Sequence, residues 1–544
     1  MSKHLAVKLI SVESGIAAMG FRKIAAIARS LEPEAEILFL PTDNLYSLTS
    51  HFFPDKNDIL SDKDYEKIAV SLAEADIVAF SSMTASAFHV EKIAVAIKKI
   101  SPRTYLLWGG VHPTLYPDES IAFVDAICIG EGERPFKMYL EKALINETGG
   151  AGIFDIPSMW FRSQGEIIRN KAMSLTESNV LSEMPHSYNQ LDCKIYDRRG
   201  NKFRGLTPID YTTFNGLLFR TIWTLGCPFS CSYCANDSFI NLDPGYRKLR
   251  YPSVNYIIDE IKQARASHPY ISTVAFYDDN FIALPLPLLR EFCEKYKRDI
   301  SLPFVVFGMH PNLITEDKVE LLASAGMNRA RMGIQSGSKN TLDFFKRPTT
   351  TDRIVKAANI LSRAAKKHRM IPPAFDIISD NPCESKQDII ETLELIYNLD
   401  RPFTLTIFSL RIFNKTKLYD YVQSNPRLIK YFKDSSYLDT RATINNIAFY
   451  MLGTFKPPKF IFKHLLDLLR REDGLNREHP FLFKSFKLLY LSKRAFDHLF
   501  KFDFSTIVGG WIYYLWKLKV YCLVDGRREK CGLEDEKNKT EKAA

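Results

Sequence analysis

Short apolar runs alternate with amphipathic stretches over the first 145 residues of the chain. Runs such as LAVKLISV (5–12) and DIVAFSSM (76–83) are unbroken, while EKIAVAIKKI (91–100) carries apolar residues at a spacing of about 3.6. Unbroken apolar strands are buried on both faces, as happens when helices cover a parallel sheet. The pattern predicts a Rossmann-like α/β domain over residues 1–145. Its other strands are EILFL (36–40), RTYLLWGG (103–110) and DAICIG (125–130).

The rhythm breaks over residues 146–215. IPSMWFRSQGEIIRN (156–170) has the pattern of a hairpin, and LSEMPHSYNQLD (181–192) that of an extended linker. We interpret this segment as a linker with a hairpin between two domains.

A second alternation fills residues 216–430, with six candidate strands whose starts are 26 to 51 residues apart. Each interval has room for one helix, which predicts a partial (β/α)6 TIM-like barrel with its chemistry at the carboxyl ends of the strands. The strands are TIWTLG (221–226), STVAFYDD (272–279), PFVVFGM (303–309), RARMGIQSG (329–337), PAFDIIS (373–379) and TLTIFSL (404–410).

From residue 431 the chain becomes aromatic, basic and helical. We assign 431–525 to a helical C-terminal region and predict that 526–544 is a disordered tail. The region from 431 onward holds 21 lysines and arginines against 14 acidic residues, so most of the net charge of +10 lies here.

Length and composition bound the class of protein. A chain of 544 residues that is 46% hydrophobic and 25% charged is expected to form two or three globular domains. No secretory signal is visible. The most apolar stretch, Ile507–Trp516, falls well short of the roughly 20 residues that cross a bilayer, which predicts a cytoplasmic protein.

Three of the nine cysteines lie within eight residues, in TLGCPFSCSYCA (224–235). A structural zinc site usually takes four ligands in two pairs, and no second CxxC occurs in the chain. A cubane iron–sulfur cluster held by three thiolates would leave one iron open to a further ligand. Zinc or a chance cluster is the alternative. The other cysteines, which we interpret as buried or surface thiols, are Cys128, Cys193, Cys293, Cys383, Cys522 and Cys531.

CPFSCSYC resembles the C-x3-C-x2-C signature of the radical S-adenosylmethionine (radical SAM) superfamily, including the aromatic Tyr233. The resemblance implies that Cys227, Cys231 and Cys234 ligate a [4Fe–4S] cluster whose open iron chelates SAM. One electron then cleaves SAM to a 5′-deoxyadenosyl radical.

Further motifs follow the later strands. GIQSGS (333–338) resembles the GxExGS element of that superfamily with Gln335 in place of Glu, and KRPTT (346–350) resembles its basic element. DIISDNPCES (376–385) stands where relatives carry a glycine-rich loop, but lacks the glycines. Taken alone, each of these polar stretches after a strand could equally be a helix cap or an ordinary turn with no role in binding. The resemblance implies that SAM is positioned by Tyr233, Asp279 of YDDN (277–280), Gln335, Ser336 and Arg347.

The N-terminal domain carries SSMTAS (81–86), WGGVHPTLYPDE (108–119) and IGEGERPF (129–136). Together they resemble the cobalamin-binding domain of B12-dependent radical SAM enzymes. The implied contacts to cobalamin are Ser82, Thr84, Gly109, Gly110, Gly130, Glu131 and Gly132. The Asp-x-His motif of many B12 domains is missing, so a degenerate domain without the corrin is the alternative. His112 is the histidine in the glycine turn.

The C-terminal region has three interpretations. It is a helical cap that closes the barrel mouth, a basic amphipathic surface on an anionic membrane, or a nucleic-acid site, which the absence of any recognised module disfavours.

We expect a cobalamin-dependent radical SAM enzyme that modifies an unactivated carbon by methyl transfer. The alternatives are radical cyclisation or rearrangement, as in the anaerobic porphyrin-ring cyclase, and a non-catalytic metal-binding protein that binds nucleic acid. The expected partners are a small-molecule or lipid-like substrate and a reductant such as flavodoxin or ferredoxin. If the C-terminal region lies on an anionic membrane, the protein also makes a peripheral contact with the inner face of the membrane.

Overall fold

The computed structural model describes residues 5–42, 60–146, 152–186, 190–431, 440–471, 478–501, 503–505 and 507–518. Within these residues fifteen strands form two sheets, one of nine strands and one of six.

The centre of the larger sheet consists of five parallel strands, β1 Val7–Glu13, β2 Glu36–Pro41, β3 Ile77–Ser82, β4 Tyr105–Gly109 and β5 Ala126–Cys128. Their order in the sheet is β5-β4-β3-β1-β2. This order reverses direction between β1 and β3, which makes a switch point where ligands bind in open α/β sheets. All five strands lie where the sequence predicts them.

Helices cover both faces of this sheet, as unbroken apolar strands require. On β3, Val78 and Phe80 pack into one core and Ile77 and Ala79 into the other. The helices are Met19–Leu31, Asp62–Leu72, Ala87–Ile100, Val111–Leu115, Pro117–Ser120 and Glu133–Asn146. The Rossmann-like prediction is confirmed.

Two hairpins extend the sheet, one at each edge. β6 (Met159–Ser163) and β7 (Glu166–Arg169) form the predicted hairpin, which pairs antiparallel with β5. The second hairpin, β8 (Lys194–Asp197) and β9 (Lys202–Gly205), joins β2 and was not predicted. The segment 146–215 therefore adds strands to the N-terminal sheet. It also holds two short helices, Ser178–Leu181 and Pro208–Asn215. Part of the predicted extended linker, 187–189, lies outside the described residues.

The smaller sheet consists of six parallel strands in chain order, which is the predicted partial barrel. Its strands are β10 Leu218–Thr221, β11 Thr273–Phe276, β12 Phe304–Met309, β13 Met327–Gln335, β14 Ala374–Ser379 and β15 Thr404–Ser409. The helices of this part are Ala235–Leu242, Val254–Ser267, Leu286–Asp299, Glu316–Ser324, Lys339–Phe344, Thr351–Lys367, Lys386–Asn398 and Lys417–Gln423.

The first barrel strand ends earlier than the sequence predicts, at Thr221 rather than at residue 226. After it, the backbone N–H groups of Trp223 and Thr224 donate to the carboxylate of Asp278, at 3.2 and 2.5 Å. Leu225 then forms an antiparallel bridge with Arg250. The apolar run continues past the strand because the Trp223 side chain is buried. The backbone hydrogen bonds of this stretch, however, are made outside the sheet.

The C-terminal helices lie along the open edge of the barrel. The helix Ile444–Thr454 packs on β15 and on the helix Lys386–Asn398. Its successors are Lys459–Arg471, Pro480–Phe500 and Trp511–Lys517. Asp503 reaches Arg329 near the amino-terminal start of β13, at 3.5 Å. These contacts cover the edge strand and the opposite end, but the same region also reaches the barrel mouth. Asn446 contacts Ser379 and Asp380 at the carboxyl end of β14, at 2.6 and 3.0 Å. The interpretation of the region as a cap over the barrel mouth stays a prediction. The tail 526–544 lies outside the described residues.

Candidate active site

The cysteine loop leaves the barrel through a turn that only glycine fits. Gly226 has a φ of +99°, and a Cβ atom there would lie 2.6 Å from the carbonyl oxygen of Tyr246. The next residue, Cys227, donates its backbone N–H to that same carbonyl, at 3.0 Å. Glycine at this position lets two backbone segments approach closely.

The far side of the loop is held by two other segments of the barrel. Ser232 donates its backbone N–H to the carbonyl of Phe345 at 2.9 Å, and its own carbonyl accepts from the N–H of Leu418 at 3.0 Å. Asp237 accepts from the Lys417 backbone N–H at 2.9 Å and also binds the Lys417 ammonium group. The loop between the cysteines is thus fixed from three directions.

The three cysteines come together in this loop. Cys227 and Cys231 are buried and Cys234 is half-buried, and Cys227 and Cys234 each interact electrostatically with Cys231. Burial raises the pKa of the Cys227 thiol to about 11 and that of Cys234 further. Among the described residues, no group of three or more His, Cys, Asp or Glu side chains is arranged to hold a single metal ion. A cubane differs from such a site in that each thiolate binds a different iron.

Two nitrogen donors lie next to the sulfurs. Nη1 of Arg347 is 3.7 Å from Sγ of Cys231, and Nδ2 of Asn280 is 3.9 Å from Sγ of Cys227. Arg347 and Asn280 are both buried. A buried cation and N–H donors beside thiolate sulfurs offset their negative charge, which is how proteins stabilise iron–sulfur clusters. The cysteine loop therefore fits a three-thiolate cluster.

Arg347 connects several of the predicted residues. Its Nη1 donates to the hydroxyl of Tyr233 at 3.1 Å, and its Nη2 donates to the carbonyl of Gly333. Gln335 lies against the same glycine, since a Cβ on Gly333 would be 2.4 Å from Nε2 of Gln335. The structure thus brings Tyr233, Gln335, Arg347 and Cys231 together.

Gln335 also has a strained backbone. Its φ of +72° is in the left-handed region, and its buried Oε1 has no hydrogen-bond partner among the described residues. Such strain at a non-glycine residue costs about 1–3 kcal/mol and is concentrated at ligand sites. Both features favour a bound ligand at Gln335.

Asp279 and Ser336 lie elsewhere around the loop. The carboxylate of Asp279 accepts from the Tyr246 hydroxyl at 2.8 Å and interacts electrostatically with Cys227, so it lies beside the cysteines. The hydroxyl of Ser336 is 3.0 Å from Oγ1 of Thr392, on the helix Lys386–Asn398. The structure therefore places Asp279 at the cysteine loop, whereas the Ser336 hydroxyl stabilises its own turn. A role of Ser336 in binding SAM stays a prediction.

His310 was not predicted. It follows the carboxyl end of β12 and stacks on Phe229 of the cysteine loop, with 3.8 Å between the ring centroids. Burial, with a smaller effect of the Arg347 charge, lowers the pKa of His310 to about 2, so its ring is neutral. Its position directly after an apolar strand was the signal available in the sequence. Asn280 was also missed, although it directly follows Asp279.

The glycine turns of the N-terminal sheet form a second candidate site. Gly110 follows β4 with a φ of +102°, and a Cβ there would lie 2.7 Å from the carbonyl oxygen of Ser82. The Ser82 hydroxyl accepts from the indole N–H of Trp108 at 3.0 Å. Thr84 and Met83, just beyond β3, are exposed at this edge. Gly109 ends β4, and Gly130 and Gly132 follow β5. Bare backbone and an exposed apolar side chain at the switch point fit a large flat ligand such as a corrin.

Glu131 has a different environment from the glycines around it. Its carboxylate accepts from both Nη atoms of Arg250, at 2.5 and 3.0 Å, and from the backbone N–H of Thr176 at 2.9 Å. Arg250 in turn bridges Leu225, two residues before the first cysteine. Glu131 thus ties the N-terminal sheet to the cysteine loop.

His112 is buried between the rings of Trp108 and Tyr116, whose centroids lie 5.1 and 5.0 Å from its own. Burial lowers its pKa to about 4, and neither ring nitrogen has a hydrogen-bond partner among the described residues.

The carboxyl edges of the two sheets face each other. After β4, the carbonyl oxygens of Thr114 and Leu115 accept from Lys415 and Asn414, which follow β15, at 3.2 and 3.1 Å. Gly130, after β5, lies against Leu242 at the end of the helix that begins next to Cys234. The glycine turns and the cysteine loop therefore lie on the two edges that meet between the domains.

Comparison with known families gives two matches. The B12 binding domain matches residues 7–140, and the radical SAM superfamily matches residues 221–396.

Among named proteins, the chain is 23% identical over 382 residues to an uncharacterized methyltransferase of Pyrococcus horikoshii. That alignment covers 68% of this chain and 74% of the relative. This chain is also 23% identical over 353 residues to the anaerobic magnesium-protoporphyrin IX monomethyl ester cyclase of Rubrivivax gelatinosus. That alignment covers 63% of this chain and 57% of the cyclase. The chain thus spans little more than half the length of that second relative.

Among solved structures, the cobalamin-dependent S-adenosylmethionine radical enzyme OxsB with aqua-cobalamin bound is similar to this chain. The TM-score is 0.58 at 16% identity, over 98% of this chain and 81% of OxsB. At that identity the likeness concerns the fold.

Proposed function

We propose, on the premise that this chain belongs to the radical SAM enzymes that carry a B12-binding domain, that it transfers a methyl group to an unactivated carbon of its substrate. The carrying observation is that the carboxyl edges of the two sheets, which bear the cysteine loop and the glycine turns, contact each other. When bound, the [4Fe–4S] cluster supplies the electron that cleaves SAM, and cobalamin supplies the carrier for the methyl group.

The residues of the chain bind and orient these groups. We assign the cluster to Cys227, Cys231 and Cys234, with Asn280 and Arg347 as donors to its sulfurs. Gln335, Asp279 and Tyr233 are assigned to SAM, because Gln335 has an unsatisfied buried oxygen and the other two lie against the cysteine loop.

The turns of the N-terminal sheet are assigned to cobalamin. Gly109, Gly110, Gly130 and Gly132 offer backbone at its carboxyl edge, and Thr84 offers an exposed hydroxyl. Ser82 and Glu131 support the site indirectly, through Trp108 and Arg250.

The domains imply a small-molecule substrate and an external reductant. We propose a lipid-like substrate, a flavodoxin or ferredoxin as reductant, and a cytoplasmic enzyme with a peripheral contact at the inner face of the membrane. Among the described residues, no helix has the length and apolar character needed to cross a bilayer.

Anaerobic reconstitution followed by an assay for 5′-deoxyadenosine tests the proposal. The reduced wild type should form it from SAM, and Cys234→Ala should not. Cys293→Ala, which removes a buried thiol on the helix Leu286–Asp299, is the matched control and should retain the activity. A reconstituted wild type that forms none above background would leave the nucleic-acid-binding interpretation in its place.

Radical cyclisation is the second candidate, because the cyclase of Rubrivivax gelatinosus is among the similar proteins. The mass of the product separates the two reactions. A gain of one methylene indicates methyl transfer, and a loss of hydrogens indicates cyclisation. Corrin absorption after incubation with hydroxocobalamin tests the second cofactor by itself.

A further inference from the structure

The helix Pro480–Phe500 exposes a stripe of large apolar side chains. Phe481 is 86% exposed and Phe496 is 59% exposed. A soluble surface normally scatters such side chains singly, and a contiguous set marks a site of interaction. The outer stripe, as we define it, consists of Phe481, Leu482, Leu488, Leu489, Phe496, Leu499 and Phe500. Their spacing places them on one side of the helix.

The opposite side of this helix fixes it to the barrel. Phe483 and Tyr490 are buried, and the ring of each packs at an angle against the ring of Tyr450, with 5.4 Å between centroids. The Tyr490 hydroxyl also donates to the backbone carbonyl of Leu405 on the edge strand β15. Because the inner side is anchored in this way, the outer stripe cannot turn inward without breaking the barrel contact.

Basic side chains border the outer stripe. Lys484 is exposed at one edge of the stripe, and Lys493 lies at the other edge, 2.8 Å from Asp497, the one acidic residue of the helix. Lys487 and Arg494 lie instead over the rings of the buried Phe483 and Tyr490, 5.8 Å from each centroid, on the side that faces the barrel. The preceding helix, Lys459–Arg471, repeats the combination. It exposes Phe460, Ile461 and Leu468 together with Lys459, Lys463 and Arg470.

We propose that the outer stripe and its bordering lysines bind the surface of an anionic lipid bilayer. Phenylalanine and leucine would enter the boundary between headgroups and acyl chains, while lysines pair with anionic headgroups. The charge favours lipid over a second copy of this chain, because a symmetric dimer through the stripe would place one basic border against another. The inference stands on the C-terminal helices alone and is independent of the proposed chemistry.

Co-sedimentation of the full chain with vesicles tests the proposal. Wild type should pellet with vesicles of phosphatidylcholine and phosphatidylglycerol, and less with phosphatidylcholine alone or at high salt. The double variant Phe481→Ser/Phe496→Ser should bind at least about tenfold more weakly, because two exposed aromatic side chains no longer enter the lipid. Ile145→Ser is the matched control. Ile145 is equally exposed but lies in the N-terminal domain, and its variant should bind like wild type.

A charge-reversal pair tests the electrostatic part. Lys463→Glu/Lys484→Glu, at two exposed lysines of the C-terminal helices, should lose binding to the vesicles that contain phosphatidylglycerol, whereas Lys63→Glu, on the helix Asp62–Leu72, should not. Equal thermal unfolding of all variants excludes misfolding as the cause.

Three outcomes would overturn the proposal. These are a wild type that ignores anionic vesicles, a stripe variant that binds as wild type does, and a wild-type dimer that becomes monomeric in the stripe variant. The last would assign the stripe to a second copy of this chain. The yield of 5′-deoxyadenosine in solution should be the same in wild type and stripe variant, so a failure here is separate from a failure of the proposed chemistry.

Discussion

The carboxyl edges of the two sheets meet, but their candidate sites are built from different parts of the chain. On the barrel side the site consists of side chains, namely the cysteines with Asn280 and Arg347 at their sulfurs. On the N-terminal side it consists mainly of backbone, exposed by glycines such as Gly110 and Gly130 at positive φ.

This difference decides what a sequence reveals. Three thiols at a fixed spacing have few chemical uses, so the three cysteines alone predict an iron–sulfur cluster. Glycines after strands occur in many ordinary turns, so the N-terminal site could be predicted only from the resemblance of its motifs to those of B12 domains. Substitution of the ligating side chains should therefore abolish cluster binding at the barrel site. At the backbone site, a substitution should weaken ligand binding only if it changes the conformation of a turn.

The largest effect is expected from removing all three thiols. The variant Cys227→Ala/Cys231→Ala/Cys234→Ala should bind no iron and form no 5′-deoxyadenosine, because no other cysteine lies in the loop. Iron analysis and the nucleoside assay measure this. Corrin absorption should persist, since the N-terminal site shares none of these side chains. Loss of corrin binding together with iron would show that the two sites are one unit.

Next in size is the ion pair that joins the two sites. Arg250→Met should lower the free energy of unfolding by about 3 kcal/mol, because it leaves the half-buried Glu131 carboxylate without its cation. Denaturant unfolding measures this. The double variant Arg250→Met/Glu131→Met should recover most of the loss, and a double variant as unstable as the single one would contradict a role for the pair.

A smaller loss is expected from filling a glycine turn. Gly110→Ala should cost about 1–3 kcal/mol, because it strains a φ of +102° and brings a Cβ to 2.7 Å from a carbonyl oxygen. Gly20→Ala is the control, since Gly20 is helical with nothing within 4 Å of an added Cβ. Thermal unfolding and the affinity for hydroxocobalamin distinguish the two. Unchanged corrin affinity in Gly110→Ala would argue against a backbone site.

The smallest effect concerns Glu384, on the loop after β14. Burial raises its pKa to about 8 in the folded protein, so the folded state binds a proton that the unfolded state has released. Stability should therefore fall as the pH rises from the unfolded pKa toward 8, by about 1 kcal/mol between pH 7 and pH 8. Glu384→Gln should not show this slope. Parallel slopes for wild type and variant would mean that the carboxyl group is not buried as described.

Most strands were predictable, because an unbroken apolar run between two amphipathic stretches is typical of a strand that is buried on both faces. The second hairpin, KIYD and KFRG, escaped notice because its strands are four residues long and mostly polar or charged. The end of β10 was misplaced for a different reason. Apolarity continued past it, while the carboxylate of Asp278, from a distant part of the chain, took the backbone donors.

The site shows the same division. The cysteines and Arg347 were predicted and lie together, and Asp279 lies beside them. His310 lies outside the quoted motifs, and Asn280 is the last residue of YDDN but had no predicted role. The packing of their strands brings both to the cysteine loop.

The amino-acid sequence by itself determined the two α/β domains, the three thiols and the basic, aromatic C-terminal region, because periodicity, spacing and composition are local properties of a chain. The tertiary structure alone decided that the two carboxyl edges meet, that Glu131 pairs with Arg250 across them, and that the C-terminal helices flank the barrel with an apolar side exposed. Such contacts join residues that are far apart along the chain, and no local pattern encodes which distant partner a side chain will find.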